Sequence, residues 1–70
     1  MANTEPTTPQ AETLGHIRDF INTKGYSPTI AELAKLAGIR GFAMQNRIEG
    51  LERKKLITRT ARIARSIRPA

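Results

Sequence analysis

Ser27–Ile57 reads SPTIAELAKLAGIRGFAMQNRIEGLERKKLI. It holds two short helical patterns parted by Ala37-Gly38-Ile39-Arg40, and the second runs into a basic tail rich in β-branched residues. Helix, tight turn, helix and then a candidate hairpin is the order of a winged helix-turn-helix.

Within that stretch the local signals are specific. Thr29-Ile30-Ala31-Glu32 is a capping box: the Thr29 hydroxyl accepts from the Glu32 N–H while the Glu32 carboxylate accepts from the Thr29 N–H. The helix it opens runs from Ile30 to Ala37, with Leu33 and Ala37 buried and Ile30 nearby, and stops at Gly38. Ala34 is small enough for the next helix to cross closely, and Gly38 supplies the positive φ of a short turn. Ile39 tucks beneath that turn. The third helix starts at Gly41 or Phe42 and reaches about Lys54. Met44, Ile48 and Leu51 recur at i, i+4, i+7 as its buried stripe, which leaves Phe42, Ala43, Gln45, Asn46, Arg47 and Glu49 outward.

Outward toward the N-terminus, Met1 to Pro6 is polar and reads as a loose tail, so the domain spans residues 7–70. Thr7 or Thr8 caps the first helix and Pro9 falls in its first turn, where a missing N–H is harmless. Leu14, Ile17, Phe20 and Ile21 follow at helical spacing. Gly15 costs about 1 kcal/mol relative to Ala, which suggests a close neighbour or a marginal helix. Gly25 ends the helix in left-handed geometry. Tyr26-Ser27-Pro28 is extended, because the residue before a proline avoids helical angles.

Toward the C-terminus, Leu56–Arg59 and Ala64–Arg68 have strand composition around a turn at Thr60–Ile63. The turn holds no Gly, Asn or Asp, so a helix through Thr60–Ile67 is the alternative. The hairpin is preferred because β-branched residues lead both candidate strands. Pro69 closes the element. The fold class is therefore mostly α with a small β-hairpin, a three-helix winged helix-turn-helix.

Charge separates the chain into halves. The 70 residues carry a net +6, yet Met1–Ile39 has three bases against four acids, −1, whereas Arg40–Ala70 has nine bases against Glu49 and Glu52, +7. A polyanion suits that half, with nucleic acid ahead of a membrane surface. Without Cys there are no disulfides or thiolate metal sites. His16 stands alone but for Asp19, which is not a metal set. Neither a nucleophile–base pair nor a phosphate-cradling Gly-rich loop is present, so the expectation is no enzyme and no cofactor. Nothing approaches the roughly 18 apolar residues of a membrane span, and no signal peptide is written at the start, so a cytoplasmic, nucleoid-associated protein is expected.

Ser27-Pro28-Thr29, Ala31-Glu32-Leu33-Ala34, Gly38-Ile39-Arg40, Leu51-Glu52-Arg53-Lys54, Leu56-Ile57 and Arg65-Ser66-Ile67-Arg68 together resemble the N-terminal DNA-binding domain of the LexA repressor family. The resemblance covers about Thr7 to Arg68. It implies a third helix in the major groove of duplex DNA and a wing on the backbone. Full-length members also carry a self-cleaving, dimerising serine/lysine domain for which these residues leave no room, so a reader of DNA without that switch is expected. Three departures stand out. The turn before the third helix is one residue shorter than in LexA proteins. Phe42, Gln45 and Asn46 occupy positions where the family reads bases with other side chains, and Lys55 stands where it usually has glycine. The fold carries over, but not the operator sequence.

Gln45 and Asn46 each present a donor and an acceptor that match adenine N6 and N7. Phe42 suits a thymine methyl, or else packs on helix two or marks a partner surface. Ala43 and Arg47 are further base-reading candidates. Arg40, Arg53, Lys54, Lys55, Arg59, Arg62 and Arg65 form the phosphate-binding set, and engagement of roughly four to six cations gives a log–log salt slope of about −4 to −5. The expected function is a sequence-specific transcriptional regulator on double-stranded DNA, as a homodimer or cooperative assembly. A low-specificity DNA coater and a protein-interaction module are the alternatives.

Overall fold

The computed structural model describes residues 5–60 and 62–70. Three helices, α1 (Thr8–Lys24), α2 (Ile30–Ala37) and α3 (Gly41–Arg53), precede two short strands, β1 (Ile57–Thr58) and β2 (Arg68–Pro69). This is a winged helix-turn-helix.

Both N-terminal helices open on reciprocal caps. Gln10 N–H donates to Thr7 Oγ1 at 3.3 Å while Thr7 N–H donates to Gln10 Oε1 at 3.0 Å. Thr29 and Glu32 repeat the arrangement at 2.9 and 3.1 Å. Each box satisfies one orphan N–H of the helix start and one just before it, where no carbonyl is in reach. Both helices end on a left-handed glycine, Gly25 (φ 79°) and Gly38 (φ 69°).

The core gathers Leu14 and Ile17 of α1, Leu33 and Ala34 of α2, Met44, Ile48 and Leu51 of α3, and Ile57 and Ile67 from the wing. Ile21, Ile30, Ala37, Ile39 and Leu56 pack at its edge. Thr13 is fully buried; its hydroxyl donates to the Pro9 carbonyl at 2.9 Å, so a polar side chain enters the core without an unmet hydrogen bond. The close approach expected at Gly15 is not there, since a Cβ at that position meets nothing within 4 Å. It occurs instead at Gly50 of α3, where an added Cβ would meet the side-chain amide of Gln10.

The wing differs from its expected outline. The strands are two residues each, and the return strand lies at Arg68–Pro69 rather than Ala64–Arg68, in antiparallel register Ile57↔Pro69 and Thr58↔Arg68. Pro69 pairs instead of merely closing the element. The Ala70 N–H donates to Leu56 O at 3.0 Å, which makes Ile57↔Pro69 a pair that exchanges no backbone hydrogen bonds, so the proline's missing N–H is not needed. The described part of Thr60–Ile67 is not helical: Arg62 (φ 65°) and Arg65 (φ 59°) are left-handed. The Ser66 hydroxyl accepts from the Thr60 N–H (2.9 Å) and lies within bonding distance of the Thr60 and Ile63 carbonyls (3.1 and 2.9 Å). One side chain thus does the work of a turn glycine or asparagine. Ala61 and, of the expected N-terminal tail, Met1–Thr4 lie outside the described residues.

Candidate nucleic-acid interface

The surface of α3 is built by what its core stripe excludes. With Met44, Ile48 and Leu51 inward, Phe42, Gln45 and Asn46 fall at i, i+3, i+4 on one face. Phe42 is 69% exposed, an outlay of apolar surface that the fold itself does not use. Asn46 is exposed and Gln45 half-buried. Ala43 and Arg47 form the next row and are half-buried, and the Arg47 Nη1 lies 3.4 Å from Thr13 Oγ1, so this guanidinium leans toward α1. Unlike α1 and α2, α3 has no side-chain cap: Arg40 at its N-cap makes no such hydrogen bond, leaving the first-turn N–H groups without a side-chain acceptor.

The predicted phosphate set divides in two. Arg40, Arg53, Lys55 and Arg62 are exposed and, among the described residues, make no side-chain hydrogen bond or ion pair. Lys54, Arg59 and Arg65 are engaged within the protein. Lys54 Nζ donates to Glu5 O at 2.8 Å and to Gln10 Oε1 at 2.6 Å, tying the end of α3 to the start of α1. Arg59 Nε donates to Glu52 Oε1 at 3.0 Å, and Arg65 grips Glu32 through both terminal nitrogens at 2.8 and 3.2 Å. The Thr29 N–H, foremost, and the Arg65 guanidinium then hold the Glu32 carboxyl below its usual range, against a smaller opposing effect of desolvation.

Glu32, Glu52, Thr13 and Ser66 thus shape the basic surface although none is a cation. Local sequence reading finds Glu32 only as a helix cap, because its arginine lies 33 positions away. Among the described residues no group of three or more His, Cys, Asp or Glu side chains is placed to hold a metal ion, and no helix is long and apolar enough to cross a membrane.

The profile of the LexA DNA binding domain matches residues 3–66. The chain belongs to the LexA DNA-binding domain family. It is 36% identical over 61 residues to the LexA repressor of Sorangium cellulosum (strain So ce56), covering 86% of this chain and 26% of that protein. It is likewise 36% identical over 58 residues to the LexA repressor of Oleidesulfovibrio alaskensis (strain ATCC BAA-1058 / DSM 17464 / G20), covering 83% of this chain and 28% of that protein. The chain spans about a quarter of the length of these relatives. In this LexA-type domain the capping box of α2, the Gly38 turn and the wing's Arg65-Ser66 pair all lie within the matched span.

Proposed function

We propose that the protein is a sequence-specific regulator of transcription that binds double-stranded DNA with α3 in the major groove. The observation that carries this reading is the outward row of Phe42, Gln45 and Asn46 on the helix that follows the Gly38 turn, in a chain of the LexA DNA-binding family. Gln45 and Asn46 pair with adenine edges and Phe42 with a thymine methyl, while Ala43 and Arg47 serve the neighbouring positions. Arg40, Arg53, Lys55 and Arg62, with the uncapped first turn of α3, take the phosphates. Four such cations give a log–log salt slope of about −4. A single module of this kind buries about 600–1,000 Å² on DNA, which favours two copies on paired half-sites.

Selection from a random duplex pool yields the preferred site. On it, Gln45→Ala combined with Asn46→Ala weakens binding by about tenfold or more, and leaves binding to random duplex unchanged. Equal loss on both would assign α3 to backbone contact and favour a low-specificity coater.

A further inference from the structure

Arg65 has the composition of a phosphate ligand and the surroundings of a clamp. Its Nη1 donates to Glu32 Oε1 at 2.8 Å and to the Ser27 carbonyl at 3.2 Å, and its Nη2 donates to Glu32 Oε2 at 3.2 Å. Its guanidinium carbon lies 4.7 Å from the centroid of the Tyr26 ring, which Phe20 meets edge-on at 5.6 Å. One planar cation therefore joins the α1–α2 connector, the first turn of α2 and the wing, and reaches α1 through the Tyr26–Phe20 ring contact.

We infer that Arg65 is a positioning residue, which sets the wing against α2 so that the wing's free cation, Arg62, meets the DNA backbone in register with those of α3, and is not itself a phosphate ligand. The inference rests on the DNA-binding reading above. Three observations carry it. The pair is bidentate, and this fork geometry is what distinguishes Arg from Lys. A phosphate brought to Arg65 would also be brought to the Glu32 carboxylate, whose negative charge opposes it. Finally, Arg65 adopts a left-handed backbone (φ 59°), which an L side chain adopts only at a cost, and the contacts to Glu32, Ser27 and Tyr26 offset that cost. The next residue, Ser66, cinches Thr60 and Ile63, so consecutive side chains fix the wing to α2 and close its tip.

The two roles for Arg65 predict opposite signs. Glu32→Gln preserves the capping box, as Gln10 does for Thr7 in this same chain, but removes the partner charge and raises the net charge from +6 to +7. Arg65→Lys keeps the cation but not the fork. Thermal melting first establishes that both variants are folded at the binding temperature. On the selected duplex, positioning predicts that each variant binds about fivefold or more weakly than wild type, with a salt slope shallower by about 0.9 as the wing's phosphate contact is lost. On a duplex trimmed of the flank beyond the α3 footprint, where the wing has nothing to touch, both match wild type. The positioning role is overturned if Glu32→Gln binds as tightly as wild type or tighter, if Arg65→Lys binds like wild type, or if the loss persists on the trimmed duplex. Wild-type protein that binds no duplex overturns the DNA-binding reading itself.

Discussion

The turns that close α2 and α3 are the same turn with different residues in it. After α2, the Gly38 N–H bonds to Lys35 O at 3.2 Å and the Ile39 N–H to Ala34 O at 3.0 Å. After α3, the Lys55 N–H bonds to Glu52 O and the Leu56 N–H to Leu51 O, both at 3.0 Å. Each is a Schellman motif with a left-handed residue, at φ 69° and 60°, followed by an apolar side chain packed on the core. Glycine fills the first at little steric cost. Lysine fills the second, where the resemblance to LexA domains implies glycine, and its Cβ crowds the neighbouring carbonyl oxygen. The difference indicates that the helix-turn-helix corner is kept free of strain, whereas the exit from α3 places a lysine at a strained position. Part of that strain is offset because a positive charge at the C-terminal end of α3 opposes its dipole.

The largest test transfers the lysine to the corner. A Cβ at Gly38 meets nothing within 4 Å, so Gly38→Lys isolates backbone conformation and destabilises by about 1–2 kcal/mol. For a domain of this size that lowers Tm by about 4–8 °C per kcal/mol. A melt that does not move would mean that the two turns are not equivalent. Lys55→Gly is the reciprocal change and stabilises by about 0.5–1 kcal/mol, read by denaturant midpoint, while its DNA salt slope becomes shallower by about 0.9. Stabilisation without the change in slope would show that Lys55 is tolerated rather than used.

The smallest effect separates conformation from charge. The folded Glu32 carboxyl is held below its ordinary value, so its stabilisation is fully present above the unfolded pKa and is lost as pH falls through the folded one. The stability gap between wild type and Glu32→Gln is therefore fully open above the ordinary glutamate range and closes as pH falls through and below it, while the Lys55→Gly difference, being conformational, keeps its size. A Glu32 gap that stays constant with pH would mean that the charge of the carboxylate contributes nothing to stability.

These contrasts also mark how far the sequence could be read. The Thr29–Glu32 box, the Gly38 turn and the Met44–Ile48–Leu51 stripe were legible because each is a pattern within one or two helical turns. The wing was legible in kind but not in register, because its strands are two residues long and its turn is closed by Ser66 rather than by a turn-forming residue. Gly50, not Gly15, marks the tight spot, since that depends on where the Gln10 side chain lies, 40 positions away. The basic surface was visible as charge. Its division into free and engaged cations was not, because Glu32, Thr13 and Gln10 meet their partners only after folding.

The Ser66 cinch has an engineering corollary. Because the Ser66 hydroxyl closes the loop at Thr60 and Ile63 and Arg65 anchors it to Glu32, the exposed positions 62–64 carry no part of the core that the β1–β2 base helps to cover. Exchanges or insertions at positions 62–64 then leave the hydrophobic interior undisturbed. The tip is therefore the first place to graft a label or a longer basic arm.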